Sequence, residues 1–416
     1  MHRKMCIISA VLFLTLSTML IGQTDSGNSL TIETAISKAL QNNPTLKVLL
    51  REINALEAVK IQSGLMPNPE FSLDAENLFG TGEFNGVDGT EITAQISQSI
   101  MLAGKISKLE KVAELDISLA EWDYEANRLE IITNVRKAFN QVLVVQQLIE
   151  KNKELIKLSD DLLENINMRV KAGKISLAEV SRTKIIINAL QIALIKLQYE
   201  YDAAIIELKT LIYDPEYSFS SLDGSFEYSF ELPPYDTLLV QLESNPNLKR
   251  YESEYARQKA VLNYEESKAT PNLTLSAGYR RLNELNTNTF VLGASIPLPI
   301  FDRNQGSIQE AEIRYDQKKV ESESTRNRLT LRLNLLYNRL NTLLKTADQL
   351  KTESIPETEK AFKIIKEGNL VGRFAILDVL DTQRTLFELQ NQYLIVISEI
   401  QSVKAELEGL ISKEIK

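Results

Sequence analysis

Residues 180–208 read VSRTKIIINALQIALIKLQYEYDAAIIEL, and residues 379–407 read VLDTQRTLFELQNQYLIVISEIQSVKAEL. In the first run Val180, Ile187, Leu194, Tyr201 and Leu208 fall seven apart. In the second, Val379, Leu386, Tyr393, Ile400 and Leu407 do the same. A strict seven-residue apolar repeat belongs to a helix that packs lengthwise on other helices. The second run is the first displaced by 199 residues, and that displacement also pairs Gly173 with Gly372, Glu179 with Asp378 and Thr183 with Thr382. Two copies so far apart mark a duplicated chain with pseudo-symmetric halves.

Working outward, Asn43-Pro44-Thr45-Leu46-Lys47 recurs as Asn245-Pro246-Asn247-Leu248-Lys249, and Pro67-Asn68 as Pro271-Asn272. Each half therefore follows one order: helix, Pro-Asn break, two strands, very long helix, glycine break, heptad helix. Residues 31–65 read as helix with a kink allowed at Pro44. From Pro69 the period changes to two, with Phe71, Leu73 and Ala75 against Ser72, Asp74 and Glu76. A Gly-rich stretch follows, then Ile92, Ala94 and Ile96 alternate with Thr93, Gln95 and Ser97. The second half repeats the pattern at Leu273, Leu275, Ala277 and Tyr279 and at Phe290, Leu292, Ala294 and Ile296. Period-two alternation bounded by glycine and polar turns is a strand signature.

Residues 105–172 contain no proline and are bracketed by Gly104 and Gly173. They read as one very long helix that reverses at Gly173 into a return helix over 176–212. Residues 305–367 and 374–412 form the matching pair, broken near Gly368 and Gly372. The segment Asp214–Pro234 holds three prolines, a glycine and five aromatic residues and links the halves, packed on the outside. The expected organisation is a signal at 1–22, a first repeat at 23–213, a linker at 214–235 and a second repeat at 236–416.

Composition sets the compartment. Arg3 and Lys4 precede an almost wholly apolar run from Cys6 to Ile21, and Gly22 offers a small residue for cleavage. That is an export signal; a permanent anchor is the competing reading, although the run is short for a span of ~20 residues. The only cysteine, Cys6, and the only histidine, His2, leave with the signal. The exported chain then forms no disulfide and offers no Cys or His site for a metal. No cofactor is expected. Loss of Arg3 and Lys4 takes the net charge from −9 to −11, which argues against nucleic acid as a partner. No enzyme signature is present, since a phosphate loop and a Ser/His/Asp set are both missing.

The strands are about ten residues each, the length that crosses a bilayer at a tilt, with one apolar and one polar face. A water-soluble sheet with one buried face has the same pattern. Four strands cannot close a barrel, and an open edge in lipid leaves backbone groups unpaired at several kcal/mol each. Two copies would supply eight strands and almost no lumen; three would supply twelve. Because long helices continue directly from strand ends at Gly104 and after Asp302, the helical part should prolong the same tube, with Asn304, Gln305 and Gly306 serving the second bend. Heptads alone would also suit a rod-like envelope protein with no pore.

Five segments carry a resemblance to a known family: Pro67-Asn68-Pro69-Glu70, the stretch Gly86 to Ile92, Gly278-Tyr279-Arg280-Arg281, Ser295 to Gly306 (SIPLPIFDRNQG) and Phe374 to Gln390 (FAILDVLDTQRTLFELQ). The chain resembles the TolC-like outer-membrane efflux proteins along nearly its whole exported length, and most of all their heavy-metal (CzcC/CusC-like) branch. The resemblance implies a homotrimer, a twelve-stranded barrel in outer-membrane lipid and a helical tunnel in the periplasm of a Gram-negative cell. It implies docking to a periplasmic adaptor through the helix-reversal tips at Gly173, Gly368 and Gly372, and coupling to an inner-membrane RND pump. The cargo would be heavy-metal cations, of the cobalt/zinc/cadmium or copper/silver class; a duct for drugs or secreted proteins is the alternative. Aspartates of the DVLD run narrow the channel in that family, and they map onto Asp378 and Asp381, with Arg373 beside them. Across the duplication these positions hold Glu179 and Arg182, so the acidic ring would come mainly from the second half. The competing reading for Asp378 and Asp381 is charge placed to suit a helix N-terminus. Arg373 could equally be a salt-bridge partner between protomers or a solvated side chain. Arg280 and Arg281 read as barrel-end residues near headgroups or as pore-lining charges.

Overall fold

Asn43 shows how the sequence sets the first boundary. The computed structural model describes residues 29–219, 221–224 and 230–415, so the expected signal at 1–22 lies outside the described residues, as do Phe226 and Tyr228. A short strand β1 (Ser29–Thr31) leads into helices α1 (Ile32–Asn42) and α2 (Pro44–Ser63). These are two helices, not one kinked helix. Asn43 sits at φ −55°, ψ 120°, ends α1, and accepts hydrogen bonds from the Thr45 and Leu46 amides at 2.8 and 3.2 Å. Pro44 lacks an N–H where the helix start would leave one unpaired anyway. Asn245-Pro246 does the same, with amides of Asn247 and Leu248 at 2.9 and 3.4 Å. The recurring Asn-Pro pair is therefore a recurring helix cap.

The first repeat continues through a hairpin of β2 (Glu70–Glu76) and β3 (Glu91–Ile100), the helix α3 (Lys105–Lys171) and the return helix α4 (Leu177–Ile212). At ~1.5 Å per residue the 67 residues of α3 span roughly 100 Å. The connecting segment forms a strand, β4 (Ser221–Asp223), that pairs in parallel with β1. The second repeat comprises α5 (Tyr235–Leu242), α6 (Pro246–Lys268), the hairpin β5 (Leu273–Leu282) and β6 (Thr287–Ser295), then α7 (Gln305–Gln349), α8 (Ile355–Leu370) and α9 (Ile376–Ile411). β2 has seven residues against ten, ten and nine for the others, so the expectation of about ten residues per strand fails at that edge.

Nor is 305–367 one regular helix. Residues 350–354 form a π-helical turn immediately before Pro356. Proline has no N–H and its ring crowds the carbonyl four residues back; a wider turn at that place relieves both. α3 has no proline and runs without such a turn.

Two cores match the two repeats. One gathers Leu30, Ala35, Val135, Phe139, Val142, Leu208 and Ile212, with Tyr217 and Phe219 of the connecting segment against it. The other gathers Leu242, Leu333, Leu340, Ile397, Ile400, Leu407 and Ile411, with Phe230 against it. The connecting segment therefore closes both cores from their rims. A third, smaller cluster joins the far ends of the two long helix pairs: Ile166 and Val180 meet Ile376 and Leu380. Across the middle, Arg136 pairs with Glu408 and Glu414, and Glu406 takes Lys137 at 2.9 Å and also Arg332. α6 is tied to α3 by Arg250–Asp123 at 2.6 Å and by Arg257–Asp116.

Candidate channel wall and closing tip

The four long strands form one antiparallel sheet in the order β2-β3-β5-β6. Its register places Phe71, Ile96, Ala277 and Leu292 in one row across the sheet, and Leu73, Ala94, Tyr279 and Phe290 in the next. These rows lie on one face. Phe290 and Leu292 are each 83% exposed, Phe71 67%. The opposite face carries Ser72, Gln95, Gly278 and Val291 in one row, and Asp74, Thr93, Arg280 and Thr289 in another. A greasy, uncovered face backed by a polar one suits a sheet with lipid on one side and water on the other. Among the described residues no helix is long and apolar enough to cross a membrane.

The register also separates the two arginines. Arg280 lies on the polar face, where Glu91 accepts from it at 3.1 Å and Thr93 at 2.9 Å. Arg281 lies at the end of the apolar face, donating to Asn288 at 3.2 Å and to Asn286. Neighbouring residues of a strand point to opposite faces, so Arg280 belongs to the polar face and Arg281 to the end of the apolar one.

At the strand-to-helix bends, Gly104 (φ 66°) starts α3 and Asn304 (φ 60°) starts α7, both left-handed. Asp302 supports the second bend, its carboxylate accepting the Asn304 amide at 2.8 Å. The Asn304 side chain donates to Glu265 at 2.7 Å. Burial raises the Glu265 carboxyl, but hydrogen bonds from Asn304 and Lys268 outweigh it and hold the group below the usual carboxylate range. Gly306, expected at this bend, is an ordinary residue of α7; Asn304 takes the left-handed conformation, so no further glycine is needed.

The helix reversals are built twice on one plan. Gly173 (φ +69°) and Gly372 (φ +80°) follow the ends of α3 and α8. The amide of Lys174 returns to the Arg169 carbonyl at 2.9 Å, and that of Arg373 to the Gly368 carbonyl at 2.8 Å. Such a bond satisfies carbonyls that the helix end leaves open, and the positive φ favours glycine. Gly368 enters the reversal through its carbonyl, which accepts that closing bond, and not through a left-handed backbone. It lies inside α8, where an added Cβ would meet the Phe374 ring at 2.5 Å, so its role is close packing. Arg373 is exposed beside Gly372.

Asp378 and Asp381 are both exposed on the first turns of α9. The Asp378 carboxylate accepts the Ala375 amide at 2.9 Å, and Asp381 accepts from Arg384 at 2.7 Å. At the equivalent first-half tip, Arg182 donates to Glu179 at 3.2 Å. The 199-residue displacement maps Glu179 and Arg182 onto Asp378 and Asp381, so the first tip carries an ion pair where the second carries two acids. A residue not singled out in the sequence ties the tips together. Asn369 is 4% exposed; its side chain accepts from Arg169 at 2.9 Å and donates to the Phe374 carbonyl at 2.8 Å. Below it, Gln383 donates to Ser159 at 3.4 Å between the same two helix pairs. No local signal marks Asn369, because its partners are 200 residues away on the other repeat or across a turn.

The model of the outer membrane efflux protein family matches residues 35–212 and 240–412, one match for each repeat. The chain belongs to the outer membrane efflux protein family. The cobalt-zinc-cadmium resistance protein CzcC of Cupriavidus metallidurans is 29% identical over 391 residues, 94% of this chain and 91% of that one. The pyoverdine export outer membrane protein OpmQ of Pseudomonas aeruginosa is 23% identical over 384 residues, 86% of this chain and 80% of that one. Among solved structures, the CusC transmembrane channel superposes with a TM-score of 0.73 at 17% identity, covering 91% of each chain. This efflux protein therefore has the fold of a channel protomer: a four-strand share of a trimeric outer-membrane β-barrel, prolonged by a helical barrel into the periplasm and built as two pseudo-symmetric repeats.

Proposed function

We infer that three copies close a twelve-strand barrel and act as the outer-membrane duct of a tripartite efflux pump that clears heavy-metal cations from the periplasm. The observation that carries the cargo is the 29% identity to CzcC over 94% of the chain. Support for closure comes from the sheet itself: β2 and β6 each have one unpaired edge, and an apolar sheet with open edges cannot rest in lipid. A periplasmic adaptor would dock at the helix-reversal tips around Gly173 and Gly372, and an RND pump would supply the energy. The test is deletion of the gene: sensitivity to zinc, cadmium, cobalt or copper should rise. The OpmQ match favours one competitor, export of an organic molecule. Unchanged metal tolerance with raised sensitivity to organic compounds would select it.

The gate is assigned to the same tips. Three copies of Asp378 and Asp381 around the axis would narrow the periplasmic end and favour cations, as acidic rings do. Arg384 offsets part of the Asp381 charge, so Asp378 is the stronger contributor. Arg373, exposed beside the ring, is assigned as a basic neighbour that lets like charges stay close.

A further inference from the structure

The segment Ile296–Phe301, IPLPIF, links β6 to α7 and has no cover. Leu298 is 75% exposed, Ile300 62% and Phe301 90%. Its counterpart in the first repeat is the link between β3 and α3. Gly104 and Asn304 are the matching left-handed caps, so Met101 stands where Phe301 does. The first link is covered. Ile100, Met101 and Leu102 are half-buried, and Lys105 is 5% exposed.

What covers it is the segment just before β5. Lys105 donates to the Thr270 carbonyl and to the Asn272 side chain, each at 2.5 Å, and Asn272 donates to the Met101 sulfur at 3.6 Å. β3 and β5 are hydrogen-bonded neighbours down to Ile100 and Leu273, which brings the end of one strand against the start of the other. By the duplication, the partner of the IPLPIF link is the segment before β2, where Pro67-Asn68 repeats Pro271-Asn272. In this chain β2 and β6 are the opposite edges of the sheet. The segment before β2 is equally bare: residues 65–69 are all exposed, Met66 at 71% and Leu65 at 56%.

We propose that Ile296–Phe301 of one copy docks on residues 65–71 of the next, forming three apolar clasps around the barrel rim, each incomplete in a single chain. The directions agree. β6 runs toward the helices and β2 away from them, so the two edges meet antiparallel, as β3 and β5 do, with their helix-side ends together. The ladder would extend past Ser295 through Leu298, as β3 extends to Ile100. Period-two alternation then puts Ile296 and Leu298 on the face that carries Phe71 and Leu73, and a tight turn follows, the Ile300 amide donating to the Leu298 carbonyl at 2.9 Å. Phe301 takes the place of Met101, against Met66 and Pro67 of the neighbour.

The inference rests on the trimer reading above, and one experiment separates the two. The sole cysteine is Cys6, in the expected signal, so introduced pairs report without background. Leu298→Cys is combined in turn with Pro69→Cys, Phe71→Cys and Leu73→Cys, and Phe301→Cys with Met66→Cys. Opposed residues of an antiparallel pair bring their Cβ atoms close enough for a disulfide. The expected result is a covalent trimer on boiled, non-reducing gels for at least one Leu298 pair and for the Phe301 pair, and for none of the single variants. Heat-dissociable trimers without any cross-link would overturn the clasp and leave the trimer standing. Monomers throughout, in the unmodified protein as well, would overturn the trimer and the clasp with it. Phe301→Ser should also lower the temperature at which trimers separate, and an unchanged temperature counts against the clasp.

Discussion

Asp378 holds two roles that a single substitution can separate. Its carboxylate caps the start of α9 by accepting the Ala375 amide, and its charge stands at the proposed constriction. Asn keeps an acceptor and removes the charge, whereas Ala removes both. Asp378→Asn with Asp381→Asn should therefore weaken the cation preference and multivalent-cation block of reconstituted channels with little loss of stability. Asp378→Ala should in addition cost about 1 kcal/mol, the usual worth of a cap. Single-channel selectivity unchanged in the Asn double variant would reduce Asp378 to its capping role. Asn369 supports a second prediction. It is buried and bonded on both sides, to Arg169 of the other helix pair and to the Phe374 carbonyl of its own turn. Leaving such partners unpaired costs about 1–3 kcal/mol. Asn369→Ala should loosen the contact between the two tips and raise channel conductance, and Arg169→Ala should do the same to a lesser degree, because it leaves the Phe374 bond in place. Conductance equal to that of the unmodified channel in both variants would remove Asn369 from the gate.

Among the elements, the caps and the strand faces follow from local chemistry, and the departures from regularity follow from crowding. Asn43 ends one helix and starts the next, and Asn245 starts α6 with the same cap. Asn245→Ala should destabilise by about 1 kcal/mol, and somewhat more because the side chain also donates to the Leu410 carbonyl at 2.7 Å. Glu406 gives the pH dependence of the α9 contacts. Burial raises its pKa, but the hydrogen bond and charge of Lys137, with the charge of Arg332, hold it below the ordinary carboxylate value. A carboxyl depressed in the folded state adds stability that is complete above its unfolded pKa, about 4.3. That stability is lost as pH falls through the folded value. Thermal unfolding scans should therefore show stability declining below about pH 4. Glu406→Gln should be less stable at pH 7 and decline less steeply on acidification. An acid limb of the same slope in the variant would refute this linkage.

For the whole molecule, the open edges of β2 and β6 demand completion by other copies. Protein extracted in detergent should migrate as a heat-dissociable trimer, and a stable monomer without detergent would contradict the barrel. Cargo selection is a separate matter. Beyond the expected signal the sequence has no cysteine or histidine, and Met66, Met101 and Met168 lie on different parts of the fold. Soft and borderline cations bind tightly to thiolate, thioether and imidazole ligands. Calorimetry on the isolated trimer should accordingly find no zinc or copper site of micromolar strength. Finding one would place metal selection in the duct rather than in the pump.

The sequence by itself determined the duplication, the four alternating strands, the long helices and the glycines of the two reversals. Each of these is a local or periodic signal, carried by side-chain spacing or by a backbone angle that one residue type tolerates. It also carried the family, because SIPLPIFDRNQG and the DVLD run are contiguous. Tertiary structure decided the rest. It made Gly368 a packing position against Phe374 and gave the second bend to Asn304 rather than Gly306. It turned the kink at Pro44 into a full break and set a π-helical turn before Pro356. It brought Asn369 to Arg169 and drew β4 alongside β1. Pairings between residues 200 positions apart leave no trace in local spacing. They arise from burial and from the satisfaction of polar groups, which exist only once both repeats are folded against each other.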